Sequence, residues 1–385
     1  MTEKISHISI ESGESSYERL LALGVPEERA KDWARLGPKM RATLWTNGPV
    51  GVWEVHRELS AHLRIAGWTL LDTDQGVCEA EQARCVREII SELCDEMCSR
   101  RFPLMKADSW ADEGIFVDVL RSIGFEQVTI NGNPHPIEND RDYSHSGWLL
   151  WNPDFVRESA NLVVPAYEHQ KTEFTCGPAS ALMTLGEIEG DPHTDFVNEL
   201  DLWRQATYSG GVGHFGLASA LADHGAQVEV LASTSEPIVG ISKTTMLGKR
   251  ARVALHCEHM TRARELGVTS QVRELSVEDI TSALDAGRHV IALVDLAPLN
   301  GEDTPHWLLI WGRVGDFLLI HDPWYDEEFG ETWVETYVQP LHIRDLWEAA
   351  QWADDTHERA LLSVRTSRRN SFQRFPAILR VFRER

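Results

Sequence analysis

The chain has 385 residues, 42% hydrophobic and 25% charged, an ordinary globular composition with length enough for two domains. A formal net charge of -23 and a pI near 5.1 argue against a nucleic-acid or anionic-membrane partner. No apolar run reaches the ~18 to 20 residues that span a bilayer, and the start, Met1-Thr2-Glu3-Lys4-Ile5-Ser6-His7, lacks the basic and apolar regions of a secretory signal; a cytoplasmic protein is expected.

Residues 17–36 read as one or two helices broken at Gly24-Val25-Pro26, and residues 50–56 and 67–72 as strands. Residues 79–100 form a strong helical pattern, with Cys85, Ile89, Leu93 and Met97 four apart on one face. A short strand (102–106), a helix (113–123), then Gly124-Phe125-Glu126-Gln127-Val128 follow. Four of the six cysteines, Cys78, Cys85, Cys94 and Cys98, crowd this stretch. Their spacing is not that of paired zinc ligands, so they read as helix-core thiols with no metal. A reducing compartment suits them.

This order of long helix, short strand, second helix and Gly-Phe-Glu-x-Val resembles the C-terminal half of GNAT-superfamily acetyltransferases. The resemblance implies a GNAT-like α/β domain over residues 1–155. It also implies a glycine-rich loop opening the long helix, whose backbone N–H groups would meet the acetyl-CoA pyrophosphate. That place holds Gly76 but also Asp72, Asp74, Glu79 and Glu81. Like charge would repel the phosphates, so no cofactor is expected there. The domain is expected to be structural, or to present substrate to its neighbour.

The join falls around residues 151–165. Residues 177–188 and 195–206 read as helices, and Ser209-Gly210-Gly211-Val212-Gly213-His214 as a flexible loop able to clamp an extended substrate. A helix (215–224), strand (226–232), helix (243–266), strand (268–274), helix (277–286) and strand (289–296) follow. Two apolar runs, 305–312 and 315–321, flank a hairpin turn. Helices first and an antiparallel sheet later give an α+β class.

The chemistry gathers around Cys176. His169-Gln170-Lys171-Thr172-Glu173-Phe174-Thr175-Cys176-Gly177-Pro178 puts a glutamine six residues before a cysteine that opens a helix. A helix N-terminus favours a thiolate. His306 begins one strand of the hairpin and Asp322 follows the other, so antiparallel pairing would bring these ends together. A thiol, an imidazole, a carboxylate and an amide donor are the parts of a cysteine-nucleophile site. Gly177 is expected to leave room for the substrate backbone. Trp307, Trp311 and Trp324 flank the pair as candidate pocket walls, with core packing the alternative.

Gln-x5-Cys-Gly, a histidine at a strand start, and Asp-Pro after the next strand resemble the bacteriocin-processing (double-glycine) cysteine peptidases and their peptidase-like relatives. The resemblance covers residues 160–365 and implies a papain-like domain. It implies Cys176 as nucleophile, His306 as base, Asp322 as orienting carboxylate and Gln170 as oxyanion donor. Many of those peptidases are fused to membrane transporters, a part missing here. A peptide or amide substrate is expected, with hydrolysis, acyl or peptidyl transfer to an amine, or a non-catalytic binding module as the competing readings. Residues 366–385 form a basic tail with Arg368, Arg369, Arg374, Arg380, Arg383 and Arg385 among Phe372, Phe375 and Phe382. It is expected to dock on its own body or on a second subunit, giving a homo-oligomer.

Overall fold

The computed structural model describes residues 5–13, 15–72, 76–110, 113–128, 130, 145–186, 192–240, 244–352, 357–365 and 373–374. The N-terminal unit runs β1 (Ser6–Ile10), α1 (Ser15–Ala22), α2 (Glu27–Trp33), β2 (Met40–Asn47), β3 (Val50–Arg57), β4 (His62–Leu70), α3 (Glu79–Ser99), β5 (Leu104–Ser109), α4 (Gly114–Ile123), β6 (Glu126–Val128) and β7 (Ser146–Trp151). Its strands make one seven-stranded sheet in the order β1-β2-β3-β4-β5-β7-β6. All neighbours are antiparallel except β4 and β5, which α3 connects as a parallel pair.

The helix α3 forms where the sequence predicts it. Cys85, Val86, Ile89, Ile90, Leu93 and Met97 are buried along one stripe. They pack with α4 on one face of the sheet against Val52, Leu63 and Ile65. Glu79 and Glu81 in its first turn suit the positive end of the helix dipole. On the other face α1 and α2 cover Leu44, Trp53 and Val55, with Trp33 stacked on Trp53 at 5.4 Å. The strands β1 and β2 were not among the sequence expectations. Residue Asp72 adopts φ 38° and donates its N–H to Gly24 O at 2.9 Å. Residues 73–75, part of the expected pyrophosphate position, lie outside the described residues.

The second unit continues with α5 (Val156–Ser159), β8 (Val163–Val164), α6 (Cys176–Leu185), α7 (Pro192–Ala206), β9 (Thr207–Ser209), β10 (Gly211–Val212), α8 (His214–Asp223), β11 (Gln227–Ala232), α9 (Met246–Glu265), β12 (Thr269–Val272), α10 (Val277–Asp285), β13 (His289–Asp295), β14 (Pro305–Val314), β15 (Phe317–His321), α11 (Trp333–Thr336), β16 (Gln339–His342), α12 (Ile343–Ala349), β17 (Ala360–Arg365) and β18 (Gln373–Arg374). The main sheet has the order β12-β11-β17-β13-β14-β15-β16. The late strand β17 sits between β11 and β13, so the sheet closes only when the end of this unit is in place. The helices α6 and α8 join the core on one face, and α10 and α12 that on the other. The architecture is α+β in two units.

Two expectations change. The glycine segment 209–214 is not a loose loop but a two-stranded ribbon, β9 with β10. Trp203 Nε1 and Thr207 Oγ1 both donate to Gly210 O, which pins its turn. Of the basic tail, Gln373 and Arg374 pair with Val164 and Val163, and its other residues, 366–372 and 375–385, lie outside the described residues. Among the described residues no helix is long and apolar enough to cross a membrane. Nor do any three His, Cys, Asp or Glu there form a group that could hold a metal ion.

The two units meet through buried charge. From the first sheet come Arg57, His62, Arg64 and Lys106, and from the second unit Asp322, Glu331 and Glu335. Lys106 Nζ donates to the carbonyls of Val334, Glu335 and Tyr337 at 2.9, 2.7 and 2.7 Å. It thus uses all three ammonium hydrogens on the end of α11. Burial pushes its pKa down to about 7, with Glu335 acting against that. Arg64 Nε lies 3.2 Å from Glu335, and His62 Nε2 is 3.2 Å from the same carboxylate. At Gly147 the close fit is steric, because an added Cβ would meet Trp333 at 2.6 Å and Val334 at 2.9 Å.

Candidate active site

Cys176 is the first residue of α6, a helix whose ten residues are all buried. The turn before it is fixed by side chains. Thr172 and Thr175 hydroxyls lie 2.8 Å apart, and Thr175 Oγ1 donates to Thr172 O at 3.2 Å. Glu199 on α7, fully buried, accepts the Lys171 backbone N–H at 2.9 Å and lies 3.4 Å from the Lys171 ammonium. Burial raises the Glu199 pKa, and Lys171 opposes it.

The hairpin β14–β15 does what antiparallel pairing requires. A bulge between Ile310 and Gly312 shifts its register, Gly315 takes φ 52° at the turn, and the far ends converge. His306 Nε2 lies 2.7 Å from Asp322 Oδ1. The Cys176 thiol neighbours the same imidazole closely enough to help raise its pKa. The structure therefore brings Cys176, His306 and Asp322 together, each less than a tenth exposed.

Asp322 is fully used. Oδ1 also accepts the Trp324 N–H at 2.9 Å, and Oδ2 accepts Arg57 Nη1 at 2.7 Å. Burial pushes its carboxyl upward, but His306, Arg57 and the Trp324 amide outweigh it and hold the pKa at about 2. For His306, burial opposes the imidazolium. Asp322, and then the neighbouring thiol, outweigh it and raise the pKa to about 10. At neutral pH the site thus carries an imidazolium against a carboxylate.

Gln170 is buried beside this group, and its backbone N–H donates to Pro323 O at 3.0 Å. His169 Nδ1 contacts the same carbonyl at 2.8 Å. The segment before the nucleophile is thereby laced to the segment after Asp322. Gln170 Nε2 donates to Thr172 O at 2.9 Å, and Oε1 has no partner among the described residues. A primary amide has two N–H groups, and this bond commits one of them to the chain.

Gly177 has a different reason from the one expected. A Cβ there would lie 2.5 Å from Val212 Cγ2 and 3.2 Å from both Leu217 and Trp307. Its missing side chain makes room for the core beneath the helix rather than for a substrate. Trp307 is buried, and its Nε1 donates to Val212 O at 3.2 Å. Trp311 packs on His321 with ring centroids 5.4 Å apart. Trp324 stacks near His169 at 6.2 Å. Phe174, exposed and two residues before the thiol, leans on Trp203 at 4.9 Å.

The residue that sequence reasoning missed is Arg57. Its guanidinium reaches Asp322 with Nη1 and grips Glu331 with Nε and Nη2, both at 2.7 Å. Nη2 also donates to Trp324 O at 3.0 Å. A signal was present. Glu54, His56, Arg57, His62, Arg64, Lys106 and Asp108 interrupt three largely apolar, buried strands, and buried charges of that density need partners.

Similarity to known proteins divides along the same line. Over the N-terminal unit, solved acetyltransferase structures align. One is the ribosomal-protein-S18-alanine N-acetyltransferase from Escherichia coli, 15% identical over 38% of this chain and 91% of that one, TM-score 0.26. Another is a GNAT family acetyltransferase from Elizabethkingia anophelis with acetyl-CoA bound, 10% identical over 38% of this chain and 97% of that one, TM-score 0.26. No curated protein matches the chain. Over the unit that holds Cys176, His306 and Asp322, the model described as "Peptidase_C39 like family" matches residues 164–364, just over half of the sequence. By that match the chain belongs to the Peptidase_C39-like family.

Proposed function

We propose that this protein is a cysteine-nucleophile enzyme of the papain-like, bacteriocin-peptidase type that cleaves a peptide or amide carbonyl through a thioester. The observation that carries this reading is the Cys176–His306–Asp322 group, with His306 Nε2 at 2.7 Å from Asp322 and the Cys176 thiol close enough to act on the ring's pKa. Cys176 sulfur attacks the carbonyl carbon and the C=O π electrons move to oxygen. The Gln170 amide and the backbone N–H groups at the start of α6 are the donors for that oxyanion. As the tetrahedral adduct collapses, the C–N bond breaks and the imidazolium passes its proton to the departing amine. Water then loses a proton to His306 and attacks the thioester. The C–S bond breaks, the carboxylic acid leaves, and the sulfur is released as an anion beside the re-formed His306 imidazolium. Asp322 keeps its charge throughout and holds the ring.

The acetyltransferase-like N-terminal unit supplies none of the groups that exchange bonds or protons in this chemistry. Its Asp72 is turned onto Gly24, and the acids Glu79 and Glu81 occupy the first turn of α3. The six free cysteines support a reducing, cytoplasmic setting. The test is peptide mapping after brief exposure to iodoacetamide and to electrophilic peptide probes. Cys176 should be modified first although it is only 8% exposed, and His306→Ala should abolish the preference. Faster labelling of exposed Cys257 in the native protein would overturn the assignment.

A further inference from the structure

Arg57 stands on β3, in the unit whose likeness is to acetyltransferases, yet its guanidinium lies inside the cysteine site. The carboxylate of Asp322 accepts three hydrogen bonds. The two on Oδ1 come from its own unit, from His306 Nε2 and the Trp324 amide. The one on Oδ2, at 2.7 Å, comes from Arg57 across the interface. Asp322 and Arg57 are both about 1% exposed or less, so water does not stand in for this bond. The same guanidinium is held in a fork by Glu331 and by the Trp324 carbonyl. Its own backbone N–H donates to Glu335 Oε1 at 3.0 Å. A bidentate grip of this kind fixes the plane and position of the guanidinium in a way a flexible ammonium does not.

We infer that Arg57 is a positioning residue for the cysteine site, and that the N-terminal unit is an integral part of that site rather than a separate acyltransferase or a substrate carrier. The inference rests on the reading of Cys176, His306 and Asp322 as a catalytic group. Arg57 acts through Asp322. It supplies the cation and the donor that keep the second carboxylate oxygen satisfied in a dry setting, so that Oδ1 stays aimed at His306. The charges facing Asp322 are His306 on β14 and Arg57 on β3, with Glu331, Glu335 and Glu302 grouped around the arginine. Arg57 is the one cation among them that does not titrate. Its loss leaves Asp322 with three acidic groups nearby, Glu302, Glu331 and Glu335, and no fixed positive charge.

The test uses the full chain and needs no substrate. The rate at which iodoacetamide alkylates Cys176 is followed by mass spectrometry in wild type, Arg57→Met and Arg57→Lys. An opposite charge at this range moves a carboxyl by about 1 to 3 units, so between about pH 4 and about pH 8 Asp322 stays ionised in wild type and gains a new titration at the acid end in Arg57→Met. The Arg57→Met rate should therefore break downward below about pH 5, where wild type does not, and Arg57→Lys should restore most of the wild-type profile. A merely structural arginine would lower stability without adding that inflection. If Arg57→Met does not fold, the double variant Arg57→Met with Glu331→Gln buries no orphaned charge from the fork and carries the same expectation. Superimposable profiles for a folded Arg57→Met or the double variant and wild type overturn the inference. Absence of preferential Cys176 labelling in wild type would instead overturn the underlying reading of the site.

Discussion

Replacing Asp322 by asparagine changes one atom and removes one of the two acceptor oxygens that side chain uses. All three partners, His306 Nε2–H, the Trp324 N–H and Arg57 Nη1–H, are donors. An asparagine presents one acceptor and one donor, so either the imidazole and the amide or the guanidinium must face an N–H group. The charge goes as well. His306 is held near about 10 against an ordinary 6.5, and burial works in the opposite direction. Without the carboxylate the ring falls below its ordinary value and is neutral at pH 7. At ~1.4 kcal/mol per pKa unit the imidazolium loses several kcal/mol of support. The readout is the alkylation rate of Cys176 by iodoacetamide at pH 7. An unassisted thiol, with a pKa near ~8.5, is still a few per cent ionised there. The expected fall is therefore about ten- to thirtyfold rather than complete, with a rate that climbs steadily as pH rises. Turnover of an amide should fall much further, because it also needs the proton that His306 delivers. A folded Asp322→Asn protein with the wild-type rate and profile would refute the reasoning.

Two further outcomes follow from packing and burial. Gly177→Ala should destabilise by about 1 to 3 kcal/mol through overpacking, less a part regained from helix propensity, because the new Cβ meets the stiff Val212 side chain at 2.5 Å; an unchanged thermal midpoint would show that the core beneath α6 yields freely. Buried His62, His214 and His321 are pushed down to about 3 and His289 to about 4, chiefly by burial. They stay neutral when folded and protonate when unfolded. Their stabilisation is thus complete above pH 6.5 and is lost as pH falls toward their folded values, roughly 1 kcal/mol each over the first unit. Urea midpoints that match at pH 6.5 and 5.5 would contradict this.

What was legible in the sequence followed regular periodicity and short-range geometry. The stripe Cys85, Ile89, Leu93 and Met97 located α3, and two apolar runs around a turn brought His306 to Asp322. The strand β17 was illegible because its place between β11 and β13 is decided by partners far away in the chain. The same holds for Arg57, whose partner is 265 positions distant. Its neighbours Glu54 and His56 bond to each other at 2.6 Å, which hides the run as a local polar patch. Gly177 misled for a related reason. The motif around Cys176 suggests open space for a substrate, whereas Val212, Leu217 and Trp307, all remote in sequence, already fill it.

The division of charge across the interface has a consequence for how this chain can change over evolutionary time. The first unit contributes the cations Arg57 and Arg64, and the second contributes the anions Asp322, Glu331 and Glu335 that they pair with. Losing one member of such a buried pair costs several kcal/mol, while replacing both members together can be nearly neutral. Substitutions at these five positions are therefore coupled and their effects will not add. Drift at one is blocked until its partner moves. Asp322 cannot move without abandoning His306, so Arg57 inherits the constraint placed on the cysteine site although it lies in the other half of the polypeptide.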